Sequence, residues 1–346
     1  MRKMLSLVIT LCMFLFILPL QTAAADSTED AALEASEAIS LYEQAAALLE
    51  AEDYDAAVPL LREAAEQGNA DAQNELGKCY AQGIGVEKDD EEAVRYFRMA
   101  ADQGFAKSQF NLANNYLYGV GVEQDAEKAT EYLVLAADQG LIQAQGLLGY
   151  MYESGFGVEA EPEKAVKYYQ VAADQGDLNA QYNLGNCYFY GRGVEKNIEK
   201  GVQYYQLAAE QGEPHALNIL GCCYCDGDGV EQNYEKAMEC FRLAAEQGNP
   251  DAIFNIGYNY FHGEGVEVDY DTALEYFREA AELGHPSGMF LIGESYYEGK
   301  GAEQDLEKAA EWYQKALEAG YEPDEADQAH LKEIFGEDDL TSKTEP

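Results

Sequence analysis

Apolar and small residues recur along this chain at helical spacing, and glycines punctuate the pattern at regular intervals. From Ala72 to Tyr80, and for about two residues beyond, Leu76, Gly77 and Tyr80 fall on one helical face. The Gly83-x-Gly85 pair ends that helix, because glycine accepts left-handed backbone at a helix terminus. A second stretch, from near Glu91 to Ala101, gathers Ala93, Phe97 and Ala100 on one side. It opens with a carboxylate, which suits the helix dipole, and closes at Gly104. Small residues such as Gly77 and Ala93 let the two helices approach closely.

The whole pattern then repeats. Copies of the first helix (helix A) start at Ser108, Ala144, Ala180, Ala216, Ala252 and Gly288, and Gly68, Gly104, Gly140, Gly176, Gly212, Gly248, Gly284 and Gly320 stand 36 residues apart. A fixed period of this size predicts a solenoid, in which each helix hairpin buries its apolar face against its neighbours. Seven full units fit within 69–320. Residues 37–68 read as an N-terminal capping hairpin without the Gly-x-Gly insert, and 321–336 as a C-terminal capping helix around Asp324 to Phe335. Residues 26–36 and 337–346 are expected to be a disordered linker and tail.

The first 25 residues differ from the rest. Arg2 and Lys3 precede an apolar run from Leu5 to Leu18, Pro19 breaks it, and Ala23-Ala24-Ala25 supplies a cleavage site. This is the layout of a secretory signal peptide, so the expected location is outside the cytoplasm, secreted or periplasmic, with no membrane insertion after cleavage. Removing 1–25 takes two of 22 basic residues and none of 65 acidic ones, so the formal charge moves from −43 to about −45. Such a surface repels phosphate backbones and anionic lipid heads, which makes nucleic acid and membrane surfaces poor partners and leaves basic proteins, basic peptides or loosely held divalent cations. A hydrophobic content of 47% separates the chain from acidic disordered sequences.

The motif A-x-x-x-L-G-x-x-Y-x-x-G-x-G-V-E, followed by E-K-A-x-x-Y-Y-x-x-A-A-x-Q-G, resembles the Sel-1-like repeat, a longer relative of the tetratricopeptide repeat. The resemblance covers almost the whole chain after residue 36. It implies an all-α fold, antiparallel helix pairs in a right-handed superhelix, serving as a scaffold or adaptor for other proteins. It also implies that the helix A positions of Asp71, Asn74, Lys78, Ala81 and Gln82 line a concave groove, and their spacing independently puts them on one helical face.

The candidate partner-binding groove follows from those positions. The second unit contributes Phe110, Asn114, Leu117 and Tyr118, and the third Tyr150. The fourth contributes Tyr182, Asn186, Phe189 and Tyr190, and the sixth Phe254, Tyr258, Phe261 and His262. Phe290 and Tyr297 come from the seventh. Rings with asparagines between them suit an extended peptide, since rings supply area at low entropic cost and amides bond its backbone; the bland alternative is that several rings pack between helices. Some tetratricopeptide domains grip a C-terminal carboxylate, but Phe110 and Tyr182 stand where that clamp needs lysine.

Other chemistry is thin. Tyr80 and its six copies, and Glu87 with its six, never vary between units, which marks packing or turn roles. Cys79, Cys187 and Cys223 share one repeat position, and Cys222, Cys223, Cys225 and Cys240 crowd into the fifth unit; all read as core thiols, with a local disulfide from helix A to Cys240 or a metal site at Cys222-x-x-Cys225 as alternatives. Asp226, His262 and Glu298 share a groove position in successive units, about 10 Å apart, too far to meet one ion easily. There is no G-x-S-x-G, H-E-x-x-H, S-x-x-K or phosphate-binding loop. No catalysis and no cofactor are expected. The expected function is a secreted, monomeric scaffold that binds a protein or extended peptide. A carbohydrate-binding module or cell-wall hydrolase, and a purely structural spacer, are the rival readings.

Overall fold

The structure, a computed structural model, describes residues 35–336, which hold seventeen helices and no strand. The expected signal peptide and C-terminal tail lie outside the described residues, as does the linker except for residues 35 and 36. Those two are helical rather than disordered, and open α1 (35–50). With α2 (Tyr54–Glu66), α1 forms the N-terminal hairpin. Its tight turn puts Glu52 at φ +58, the left-handed region that glycine fills elsewhere in the chain.

The repeats follow in strict alternation. Helices A are α3 (Ala70–Gln82), α5 (Ala106–Tyr118), α7 (Ile142–Ser154), α9 (Leu178–Tyr190), α11 (Pro214–Asp226), α13 (Pro250–His262) and α15 (Pro286–Glu298). Helices B are α4 (Asp90–Asp102), α6 (Ala126–Asp138), α8 (Pro162–Asp174), α10 (Ile198–Glu210), α12 (Tyr234–Ala245), α14 (Tyr270–Glu282) and α16 (Leu306–Glu318), and α17 (Glu325–Phe335) follows. The fold is an all-α solenoid of 36-residue hairpins, as the glycine period predicts. The chain divides into two compact units, one ending at Ala160 with α1 to α7, the other starting at Glu161 with α8 to α17.

Helix A begins two residues before the apolar pattern does. Asn69 accepts a hydrogen bond from the Ala72 backbone N–H at 2.8 Å, and this polar cap has no apolar signature. The two glycines of each Gly-x-Gly pair have different jobs. Gly83 is the left-handed C-cap of α3 at φ +71. The second glycine allows close approach: a Cβ on Gly121 would sit 2.1 Å from the Asp90 carbonyl oxygen at the start of α4. Each Gly-x-Gly loop of this kind therefore docks on the helix B before it.

Ala72 and Leu76 of helix A and Ala93 and Ala100 of helix B are fully buried, and so are most of their copies. The invariant tyrosine of helix A stacks on a second tyrosine sixteen residues later, on helix B. Tyr80 meets Tyr96, Tyr116 meets Tyr132, Tyr188 meets Tyr204 and Tyr260 meets Tyr276, at 5.7–6.1 Å between ring centres and 7–9° between planes. Basic residues lie against several of these rings, with the Lys200 Nζ 3.9 Å from the centre of Tyr188 and Arg95 4.1 Å from that of Tyr96. A second ladder is polar. Gln103 donates to the buried Gln73 at 2.7 Å, and Gln73 donates to the Ala65 carbonyl at 3.0 Å. Gln139 with Gln109 and Gln211 with Gln181 repeat the arrangement, and from the fifth repeat Leu217, Ile253 and Met289 replace the buried glutamine.

Candidate partner-binding face

The groove positions of helix A split into exposed rings and rings that brace them. In the compact unit of α1 to α7, Tyr118 is 69% exposed and Tyr150 53%, whereas Phe110 and Asn114 are half-buried. Leu117 is 1% exposed and belongs to the core.

In the compact unit of α8 to α17, α9 carries the densest group. Tyr190 is 53% exposed and stands edge-on to the half-buried Phe189, 5.0 Å between centres. Phe189 and Tyr182 both pack on the fully buried Tyr205 of α10, at 5.7 and 6.1 Å. The Tyr205 hydroxyl donates to the Asn186 Oδ1 at 2.8 Å. Asn186 is therefore not an amide reserved for a peptide backbone: its oxygen already anchors a core tyrosine. Burial drives the Tyr205 phenol far above its ordinary range, so it remains a donor. The Arg192 guanidinium lies 5.1 Å from the Tyr190 ring centre, a cation on an otherwise acidic chain.

On α13, Tyr258 is 37% exposed, and its ring lies 4.1 Å from that of the exposed His262. Partial burial pushes His262 below the usual imidazole range. Phe254 stacks on His285 at 4.5 Å, and His285 Nε2 lies 3.2 Å from the Asp251 carboxylate, which it holds below the ordinary carboxylate range. Phe261 departs from the expectation. It is 9% exposed, wedged between Tyr270 and Phe277, because its position on the last turn of helix A points into the hairpin. Phe290, at 2% exposure, is likewise a packing residue, stacked on Tyr321 at 4.3 Å.

One group escaped the reading of the sequence. Glu294 accepts from the Tyr313 hydroxyl at 2.6 Å and meets the His330 Nδ1 at 2.9 Å, while Tyr297 bonds Glu333. Glu294 and His330, and likewise Tyr297 and Glu333, are 36 residues apart, so α17 continues the helix A column and ties itself on by polar contacts between successive copies. The 36-residue offset was the available signal.

The thiols are divided between core and surface layers. Cys79, Cys187 and Cys223 are buried, but Cys222, Cys225 and Cys240 are only half-buried, and none of the six is in a disulfide. Burial pushes Cys222 and Cys223 up to about 12 and Cys225 and Cys240 up to about 11, so all four stay protonated at neutral pH. Cys222 and Cys225 accept weak bonds from Asn255 and Asn259. Among the described residues no group of three or more His, Cys, Asp or Glu is placed to hold a metal ion, and no helix is long and apolar enough to cross a membrane.

The profile of the Sel1 repeat matches nine segments: 34–48, 49–69 and then seven contiguous ones from 70–105 to 286–321. Among solved structures, c5321, described as a protective antigen of uropathogenic Escherichia coli with an SLR fold, is 32% identical over 86% of this chain and 72% of its own, with a TM-score of 0.57. A Sel1 repeat protein from Oxalobacter formigenes is 32% identical over 69% of this chain and 96% of its own, with a TM-score of 0.63. No curated protein matches the chain.

Proposed function

This chain belongs to the Sel1 repeat family, whose members generally act as protein-interaction scaffolds, and we propose that it is a secreted, non-catalytic scaffold binding a protein or extended peptide across its helix A face. The observation that carries this reading is the α9 group. Tyr190 is exposed yet rests on Phe189, which rests on Tyr205. A ring held in place before binding loses little entropy on contact, which is how aromatic anchors concentrate interface energy. Tyr118, Tyr150 and Tyr258 supply further exposed rings on other helices A. A formal charge of −43 favours a basic partner and speeds its encounter.

The test is affinity capture from the native exterior with the chain lacking residues 1–25, followed by mass spectrometry and measured binding of the captured partner. Tyr190→Ala is expected to weaken that binding at least about tenfold. Full binding in Tyr118→Ala, Tyr190→Ala and their double variant would place the working surface elsewhere.

A further inference from the structure

The fifth repeat breaks the tyrosine ladder. Sixteen residues after Tyr224, where Tyr96, Tyr132, Tyr204 and Tyr276 supply the stacking ring, the chain has Cys240. The space is not refilled. A cavity of about 460 Å³ opens there between α10 and α12, with Tyr224, Leu217 and Leu220 of α11 in its lining and Cys240 beside them. The cation of the ladder is kept, with the Lys236 Nζ 5.3 Å from the Tyr224 ring centre, as Lys128 lies 5.5 Å from that of Tyr116.

The polar partner of the preceding rung has a counterpart here as well. One repeat earlier, Gln170 donates to the Tyr204 hydroxyl at 2.9 Å and accepts from it at 3.1 Å. Gln170 precedes Tyr204 by 34 residues. Gln206 precedes Cys240 by 34 residues and lines the cavity, with no side-chain hydrogen bond among the described residues. The fifth repeat thus retains the stacking partner and the cation of a tyrosine site, the fourth supplies the amide through Gln206, and only the tyrosine is lacking. Residues 1–34 and 337–346 contain no tyrosine, so neither segment supplies the ring.

We propose that this cavity on the helix B face receives the side chain of a tyrosine borne by a partner polypeptide, its ring stacked on Tyr224 and its hydroxyl bonded to Gln206. The site lies on other helices and another face than the helix A rings, so it stands independently of the reading above. Phenylalanine would stack but leave the Gln206 amide without its bond, and an aliphatic side chain would forgo the stacking.

The experiment uses saturation-transfer NMR and titration of the chain with N-acetyl-L-tyrosinamide, N-acetyl-L-phenylalaninamide, p-cresol and a short tyrosine-centred peptide. The tyrosine amide is expected to bind about fivefold more tightly than the phenylalanine amide, the difference one hydrogen bond makes. Q206L should erase that preference while leaving the phenylalanine amide unchanged. C240Y, which restores the ladder's own ring, should raise the melting temperature and abolish binding of every probe; C240L, which fills the space without a ring, should abolish binding too. The peptide should bind more tightly than p-cresol. No binding of the tyrosine amide, or undiminished binding in folded C240Y or C240L, would overturn the site. An equal affinity for p-cresol and the peptide would overturn a polypeptide source, and loss of a concentration-dependent dimer in C240Y would overturn a separate partner.

Discussion

Gly185 on α9 lies directly against Tyr205 on α10: a Cβ added to the glycine would sit 2.6 Å from a ring carbon. The same pairing joins Gly77 to Phe97, Gly221 to Phe241, Gly257 to Phe277 and Gly293 to Tyr313. In the second repeat both partners change, and Ala113 stands with Leu133 at the corresponding positions, both fully buried. The ring and the missing side chain are two halves of one packing decision.

Gly185→Val is accordingly expected to destabilise the compact unit that starts at Glu161 by about 1–3 kcal/mol, or to split its unfolding transition, since a ring backed by core has nowhere to move. Gly185→Ala should cost less, and Tyr205→Leu should recover part of the loss by recreating the Ala113 and Leu133 combination. Thermal and urea unfolding of the single and double variants measure the coupling. Strict additivity would show that the two positions do not share a contact.

On the proposed binding face, the exposed rings expected to touch a partner are distinct from the rings that hold them. Tyr190→Ala should leave the melting temperature within about 1 °C while weakening partner binding, because a surface truncation changes stability by under roughly 0.5 kcal/mol. Phe189→Ala should lower the melting temperature, since its ring packs on Tyr205. Differential scanning calorimetry beside binding measurements distinguishes the two. A melting temperature unmoved by Phe189→Ala would remove its bracing role.

Thiol chemistry offers a third check. Alkylation under denaturing conditions should count six free cysteines in the chain after residue 25. Under native conditions at pH 8, Cys240 and Cys225, at about 11, and Cys222 and Cys223, at about 12, should react at least about 100-fold more slowly than an unhindered thiol near 8.5. Two cysteines missing from the denatured count would reveal a disulfide.

Stability should also respond to acid through Asp251. His285 accepts from the Gly288 backbone N–H through Nδ1, which leaves Nε2–H to donate to the carboxylate. The carboxyl is held low in the fold, so its contribution is complete above the ordinary carboxylate range and disappears as pH falls through its lowered folded value. Asp251→Asn is expected to flatten the acid limb of the melting-temperature profile below about pH 4 and leave it unchanged near neutrality. An identical acid limb in the variant would dismiss the pair.

Much of the architecture was legible in the sequence. The period, the hairpin, the left-handed glycine after helix A and the terminal departures are local facts, set by backbone sterics and by apolar spacing. Helix starts were less legible, because caps such as Asn69 act through a single polar bond that leaves no hydrophobic trace. For the candidate site, only the exposure of some rings was legible. Tyr118, Tyr150 and Tyr190 are exposed on the face where helical spacing put them, but Phe261, which shares Phe189's repeat position, is buried.

What the sequence determined by itself is the repeating unit, since a glycine every 36 residues and an apolar stripe on each helix admit one stacking scheme. What the tertiary structure decided is the fate of each side chain on that scheme. Burial depends on which neighbour fills the adjoining space, and that neighbour lies on another helix, sixteen to thirty-six residues away. Asn186 became an anchor for Tyr205, and Gln181 a rung of the glutamine ladder, through contacts no single helix contains. The vacancy beside Tyr224 exists for the same reason: Cys240 is unremarkable in its own helix, and becomes a cavity only where the neighbouring repeats place a ring.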